Sequence, residues 1–303
     1  MLKCRADGRF KIVQFTDLHI GYPNNDADHQ TLNELRDCLA TLDADLLIFT
    51  GDQIWCYGEN NPYRSFQQVI DCLNQSTIPV IMTYGNHDSE HGRITRAELR
   101  QMEMQLQHRV WGDHATLIRD RLSEAFAIYD AAGQRIIKQL FVFDSGDYVS
   151  AAVGEQLAAV GITNQYAYVY PEQIDWFNQV CRKTDHGDER LLFLHIPLVE
   201  YQQAQAYLQT GQCLEAICCS AINSGLFASL LAQSLSTAVF CGHDHDNDFT
   251  AEWLGVGLHY GRISGYNVYG QFPRGYREIT LYETQKLTTT IISYAEHKEG
   301  GAW

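Results

Sequence analysis

Short apolar runs that stop abruptly at polar residues set the rhythm of this chain. Five of them are continuous and rich in β-formers: Lys11–Thr16 (KIVQFT), Leu46–Thr50 (LLIFT), Pro79–Tyr84 (PVIMTY), Leu191–Leu194 (LLFL) and Ala238–Cys241 (AVFC). A strand with one wet face would alternate, so unbroken runs predict strands covered on both faces. Helix-like segments lie between them. Leu32, Leu35, Leu39 and Leu42 form one apolar face at helical spacing, and Phe66, Val69, Ile70 and Leu73 form another. Pro171–Cys181 opens with a proline, which a first helical turn tolerates, and sets Ile174, Phe177 and Cys181 on one side. Ser224–Ser234 offers Phe227, Leu230 and Leu231.

Strands alternating with helices predict an α/β protein with layered sheets, whose ligands gather beyond the C-terminal strand ends. Two segments break the alternation. Glu90–His114 is polar and rich in Arg and Gln, and reads as a helical insertion that roofs the site. Residues 254–280 are rich in Gly and Tyr and read as short strands with tight turns. Glu278–Tyr294 alternates like a terminal strand pair, and His297–Trp303 reads as a frayed end.

Composition narrows the picture. With 303 residues, 45% of them hydrophobic, and neither a linker nor a repeat, a single elaborated domain over 1–303 is expected. The net charge of -15 repels a phosphate backbone, so nucleic acid is not an expected partner. It would also repel a small phosphorylated substrate, unless the site itself holds cations. There is no basic-then-apolar leader and no apolar run long enough to span a bilayer, so no membrane association is expected. Nine scattered cysteines suit a reducing cytoplasm.

The chemistry sits where the strands stop. In order, the strand ends are Asp17-Leu18-His19, Gly51-Asp52, Gly85-Asn86-His87-Asp88, His195, and Gly242-His243-Asp244-His245. Any one of these would read as an ordinary turn. Five of them, each closing a separate apolar run, converge on one sheet edge. Imidazole and carboxylate suit divalent first-row metals such as Mn, Fe, Zn or Ni, whereas a thiolate site would need clustered Cys. A carboxylate can bridge two cations about 3.5–4 Å apart, the spacing used for in-line displacement at phosphorus. Asp52 is the candidate bridge.

These blocks resemble the calcineurin-like metallophosphoesterases, whose pattern is DxH, GD, GNHD or GNHE, H, and GHxH in this order. All five are present between Asp17 and His245. Gly242–Asp248 (GHDHDND) and His195-Ile196-Pro197-Leu198 look like the purple-acid-phosphatase-like branch. True purple acid phosphatases carry a Tyr three residues after the GD aspartate. Here that position is Trp55, with Tyr57 two further on, so the calcineurin-type ligand set is implied rather than a ferric one. The resemblance implies a four-layer α/β/β/α sandwich of two mixed sheets flanked by helices, with two divalent metal ions at the strand ends. It places Asp17, His19 and His245 on one metal, and Asn86, His195 and His243 on the other, with Asp52 between. His87 would be a catalytic histidine that contacts phosphate or protonates the leaving oxygen, and Asp88 would orient it.

The implied reaction is phosphomonoester hydrolysis by a metal-bound hydroxide, since metal binding lowers the pKa of water to around 7. A small phosphorylated molecule or a phosphoprotein is the expected substrate. A phosphodiesterase acting on a nucleotide or small phosphodiester is the alternative, followed by a catalytically silent scaffold of the same fold. Around this core, Asn86, His87 and Arg262 are the candidate substrate contacts, Arg262 because a guanidinium can clamp phosphate. Of Arg262, Arg274 and Arg277, at least two read as surface charges. Tyr260, Tyr266 and Tyr269 are candidates for an aromatic wall, and Asp144 ends a further strand near the same edge.

Overall fold

Phe10 and Ile12 lie on one face of a strand whose other face carries Val13 and Phe15, and all four side chains are buried. The first pair packs in a core shared by two sheets, the second in a core under helices. Leu46 and Ile48 against Leu47 and Phe49 repeat the split, as do Leu191 and Phe193 against Leu192 and Leu194. Burial on both faces is why these runs are unbroken.

The computed structural model of the protein describes residues 1–21, 25–56, 61–184, 187, 189–233 and 235–300. In chain order the first half comprises β1 (Leu2–Lys3), β2 (Arg9–Phe15), α1 (Asp26–Thr41), β3 (Leu46–Thr50), α2 (Pro62–Leu73), β4 (Val80–Thr83), α3 (Arg96–Glu103), β5 (His114–Ile118), β6 (Arg121–Tyr129) and β7 (Ile136–Phe143). The second half comprises α4 (Ala151–Ala159), α5 (Pro171–Lys183), β8 (Glu189–Phe193), α6 (Tyr201–Ala204), β9 (Leu208–Thr210), α7 (Leu226–Leu231), β10 (Ser236–Cys241), β11 (Thr250–Trp253), β12 (Val256–Tyr260), β13 (Gly275–Tyr282), β14 (Thr288–Ser293) and α8 (Tyr294–Gly300).

The smaller sheet runs β14-β13-β2-β3-β4; β2, β3 and β4 are parallel, and β13 is antiparallel to both its neighbours. The larger runs β1-β6-β7-β8-β10-β12-β11-β9, with β5 also on β6 and a parallel centre from β7 to β12. One outer core joins the smaller sheet to α1, α2 and α3, and the other joins the larger sheet to α5, α6 and α7. The result is two mixed sheets face to face between helical layers. Gln14 ties them at the functional rim, its Nε2 donating to Thr50 Oγ1 (2.9 Å) in its own sheet and to the Cys241 carbonyl (3.0 Å) in the other.

Two expectations need correction. Between 90 and 114 only 96–103 is an α-helix rather than the whole stretch; Ile94, Leu99 and Leu106 pack in the core with α2, while Glu90 reaches His87. Residues 297–300 belong to α8, where His297 bonds to Tyr276 and Thr41, so the frayed reading fails there; 301–303 lie outside the described residues. Tyr57 also lies outside them.

Candidate metal centre

Each predicted strand end emerges at the same rim. Asp17 and His19 follow β2, Asp52 follows β3, Asn86 and His87 follow β4, His195 follows β8, and His243 and His245 follow β10. Asp17 (φ 57°), His19 (φ 51°), Asp52 (φ 53°) and His243 (φ 80°) sit in the left-handed region. That conformation is unfavourable for side-chain-bearing residues and clusters at functional sites. Gly85 is required for close approach, because a Cβ there would overlap the Asp52 carboxylate.

The side chains form two buried groups, Asp17 with His19 and His245, and Asp52 with His195 and His243; within each, candidate ligand atoms lie within 4.8 Å of one another. His19 Nε2 faces His245 Nε2 at 3.2 Å, and His243 Nδ1 faces His195 Nε2 at 3.2 Å. Two donors each about 2.1 Å from one cation, at right-angle to tetrahedral geometry, would be roughly 3.0–3.4 Å apart. Asn86 Oδ1 joins the second group, 3.2 Å from His195 Nε2. Asp52 belongs to the second group and faces the first. Its Oδ1 accepts from the His87 amide (2.8 Å), while its buried Oδ2 lies 3.1 Å from His195 Nε2 and 3.7 Å from His19 Nε2.

Electrostatics prepare the donors. Burial drives His19 down to about 4, and burial together with the charge of His195 takes His243 to about 3, so both present neutral imidazoles. Burial also opposes charge on His195, but Asp52 outweighs it and lifts the ring to about 9. Burial disfavours ionised Asp17 and Asp52, yet the surrounding histidines hold both well below the usual carboxylate range. Neutral His19 and His243 beside ionised carboxylates suit a divalent cation, and an ion bound beside Asp52 would displace the His195 proton. His195 Nδ1 meets the Thr50 carbonyl at 2.9 Å, the kind of support that fixes a ligand ring.

The model of the calcineurin-like phosphoesterase family matches residues 10–247, which include every one of these side chains. The chain belongs to the calcineurin-like phosphoesterase family. Its curated relatives include "Probable inactive purple acid phosphatase 14" of Arabidopsis thaliana, 28% identical across 94% of this chain and 77% of that protein. "Phosphatase DCR2" of Saccharomyces cerevisiae is 28% identical over 80% of this chain and 45% of its own length. Among solved structures, a dimetal phosphatase from Danio rerio superposes with a TM-score of 0.68 at 14% identity, covering 94% of this chain and 96% of that one. That likeness is one of fold. The family acts through a dinuclear metal centre, and this member carries two Asp/His groups able to hold metal.

Several expected contacts fall elsewhere in this family member. Asp88 does not orient the His87 ring: its Oδ2 accepts from the amides of Asp52 (2.8 Å) and Gly85 (2.7 Å), and its Oδ1 from Ile54 (3.0 Å). It knots the two ligand loops together, and burial with the Asp52 charge lifts it to about 7. Arg262 is no free clamp, because it pairs with Asp248, donates to the Pro273 carbonyl and lies over Phe272. Arg274 and Arg277 are buried rather than on the surface, donating to carbonyls of Gly265, Phe272, Tyr260 and Asp248 among others. Asp144 is buried and pairs with Arg96, which also donates to the Gly85 carbonyl, in keeping with a structural role.

Of the three tyrosines, Tyr269 lies against His245 (4.2 Å between rings), Tyr260 is buried with its hydroxyl on Asp244 (2.6 Å), and Tyr266 packs against the core under the helices. Three neighbours escaped the sequence reading. Tyr166 meets His243 edge-on at 4.4 Å and stacks on Tyr148, whose hydroxyl is 3.4 Å from Asn86 Nδ2. Glu90 lies 2.7 Å from His87 Nδ1. Trp55, singled out only for the tyrosine it replaces, stacks on His87 at 5.1 Å.

Proposed function

We propose that the protein is a dinuclear-metal phosphoesterase that hydrolyses phosphomonoesters. The observation that carries this reading is the pair of buried Asp/His groups at one rim, with Asp52 Oδ2 within 3.1 Å of His195 Nε2 in its own group and 3.7 Å of His19 Nε2 in the other. Asp17, His19 and His245 would hold one divalent cation and Asn86, His195 and His243 the other, with Asp52 shared. Bound there, the cation pair would supply an activated water and neutralise charge growing on the phosphoryl oxygens.

The chain's own residues do the rest. His87 is set among Trp55, His19 and Asp52, where burial lowers its proton affinity but Asp52 and Glu90 outweigh it and raise it. It is therefore suited to hold a proton and deliver it to the departing alcohol. Asp88 keeps the Asp52 and Gly85 loops in register. The substrate is a small phosphorylated molecule or a phosphorylated protein side chain. All nine cysteines are unpaired, which supports a reducing compartment such as the cytoplasm. Among the described residues no helix is long and apolar enough to cross a membrane.

The test runs p-nitrophenyl phosphate beside bis-p-nitrophenyl phosphate with Mn²⁺. Monoester turnover that disappears in EDTA is expected. Preferential turnover of the diester would replace this reading with a phosphodiesterase, and no turnover of either would leave a silent scaffold.

A further inference from the structure

A proton donor works only if its ring is held with the right nitrogen toward the leaving group, and the adjacent carboxylate, Asp88, is occupied by three backbone amides. We propose that Glu90 is the positioning residue for His87: its carboxylate accepts a hydrogen bond from Nδ1–H, so that Nε2 is the nitrogen that serves the departing oxygen. The inference rests on the phosphoesterase reading above.

Glu90 Oε1 is 2.7 Å from His87 Nδ1, within the range of a charge-assisted hydrogen bond. Only 5% of the residue is exposed, and a carboxylate so buried is costly unless it is paired. Its second oxygen is 3.4 Å from the Tyr148 hydroxyl, a long contact, which leaves His87 as its close partner. The chain bends sharply to place it. His91 (φ 58°) and Gly92 (φ 64°) are consecutive left-handed residues directly after Glu90, and His91 pays the steric penalty of a side chain in that region. Arg96 then reaches back to Ser89 Oγ, the Gly85 carbonyl and Asp144, so the segment bearing Glu90 is fastened to the tip bearing Asn86 and His87. Trp55 stacks on the His87 ring at 20° between planes and fixes its tilt, while Glu90 fixes its rotation.

With Nδ1–H committed to Glu90, the mobile proton is the one on Nε2. As the P–O bond breaks, its electron pair stays on the alcohol oxygen, which takes that proton; the Nε2–H bond breaks and the ring is left neutral with Nδ1–H still on Glu90.

The experiment compares Mn²⁺-loaded wild type, Glu90→Gln and Glu90→Ala on two substrates. p-Nitrophenoxide departs without help, whereas the alkoxide of glycerol 2-phosphate needs a proton. Glu90→Ala should lower kcat on glycerol 2-phosphate by about 10²-fold or more, and on p-nitrophenyl phosphate by no more than about threefold. KM and bound metal should not change. Glu90→Gln keeps an acceptor for Nδ1–H and the same volume, so it should lose less than Glu90→Ala on glycerol 2-phosphate and carries the test if the alanine variant does not fold. Equal losses on both substrates with metal retained, or no loss on either, would overturn the proposal. Wild type that hydrolyses neither would instead sink the phosphoesterase reading.

Discussion

At the scale of single residues, Asp52 concentrates the argument. One carboxylate oxygen is held by the His87 amide, and the other is buried 3.1 Å from His195 Nε2 and 3.7 Å from His19 Nε2. In the free protein His195 offsets this buried charge, and bound cations would take over that role. Asp52→Asn keeps the shape and removes the charge, so turnover should fall on the order of 10³-fold while the melting temperature stays close to wild type. Wild-type-like turnover in that variant would show that Asp52 is not shared between two metals. The ligand types were legible because each closes a strand, where side chains can only point over the rim. The partner of His87 was not. Asp88 is its neighbour in sequence, but the left-handed turn at His91 and Gly92 brings Glu90 to the ring instead, and no pattern of polarity announces a sign of φ. Tyr148 and Tyr166 were hidden for a different reason, since they reach the site across long stretches of chain.

At the scale of elements, the loops stand where they do because buried polar knots fasten them. Arg96 in α3 pairs with Asp144 after β7 and donates to the Gly85 carbonyl after β4, so one guanidinium joins both sheets to the Asn86–His87 tip. Removing one member strands the other charge in the interior, so Arg96→Ala should cost about 3–5 kcal/mol in urea unfolding. Asp144→Ala in addition should cost less than the sum of the single changes, by at least about 0.5 kcal/mol. Strict additivity would mean that the pair is not coupled. Strands β2, β3, β4, β8 and β10 could be read in advance from their unbroken apolar runs, and α1, α2, α5 and α7 from helical spacing, whereas β1, β5, β6 and β9 could not. The small-residue helix α4 buries little and was missed, and α8 was read as a frayed end because its anchor, His297 on Tyr276, is a contact across the fold. Strand order within the sheets was equally silent, since β12 and β11 extend the larger sheet while β13 and β14 extend the smaller.

For the whole molecule, a net charge of -15 and a phosphate ester repel each other. Arg262, Arg274 and Arg277, which could have offset this near the site, are committed to Asp248 and to backbone carbonyls. Attraction for substrate therefore falls to the cations, and activity should be tied to their number rather than to the folded chain alone. The most direct measurement strips the protein with EDTA, removes the chelator, and titrates Mn²⁺ while following heat of binding and p-nitrophenyl phosphate turnover in the same samples. Binding should saturate at two ions per chain, with turnover reaching its plateau only as the second site fills. Full turnover at one ion per chain, or two bound ions without turnover, would contradict a dinuclear phosphoesterase.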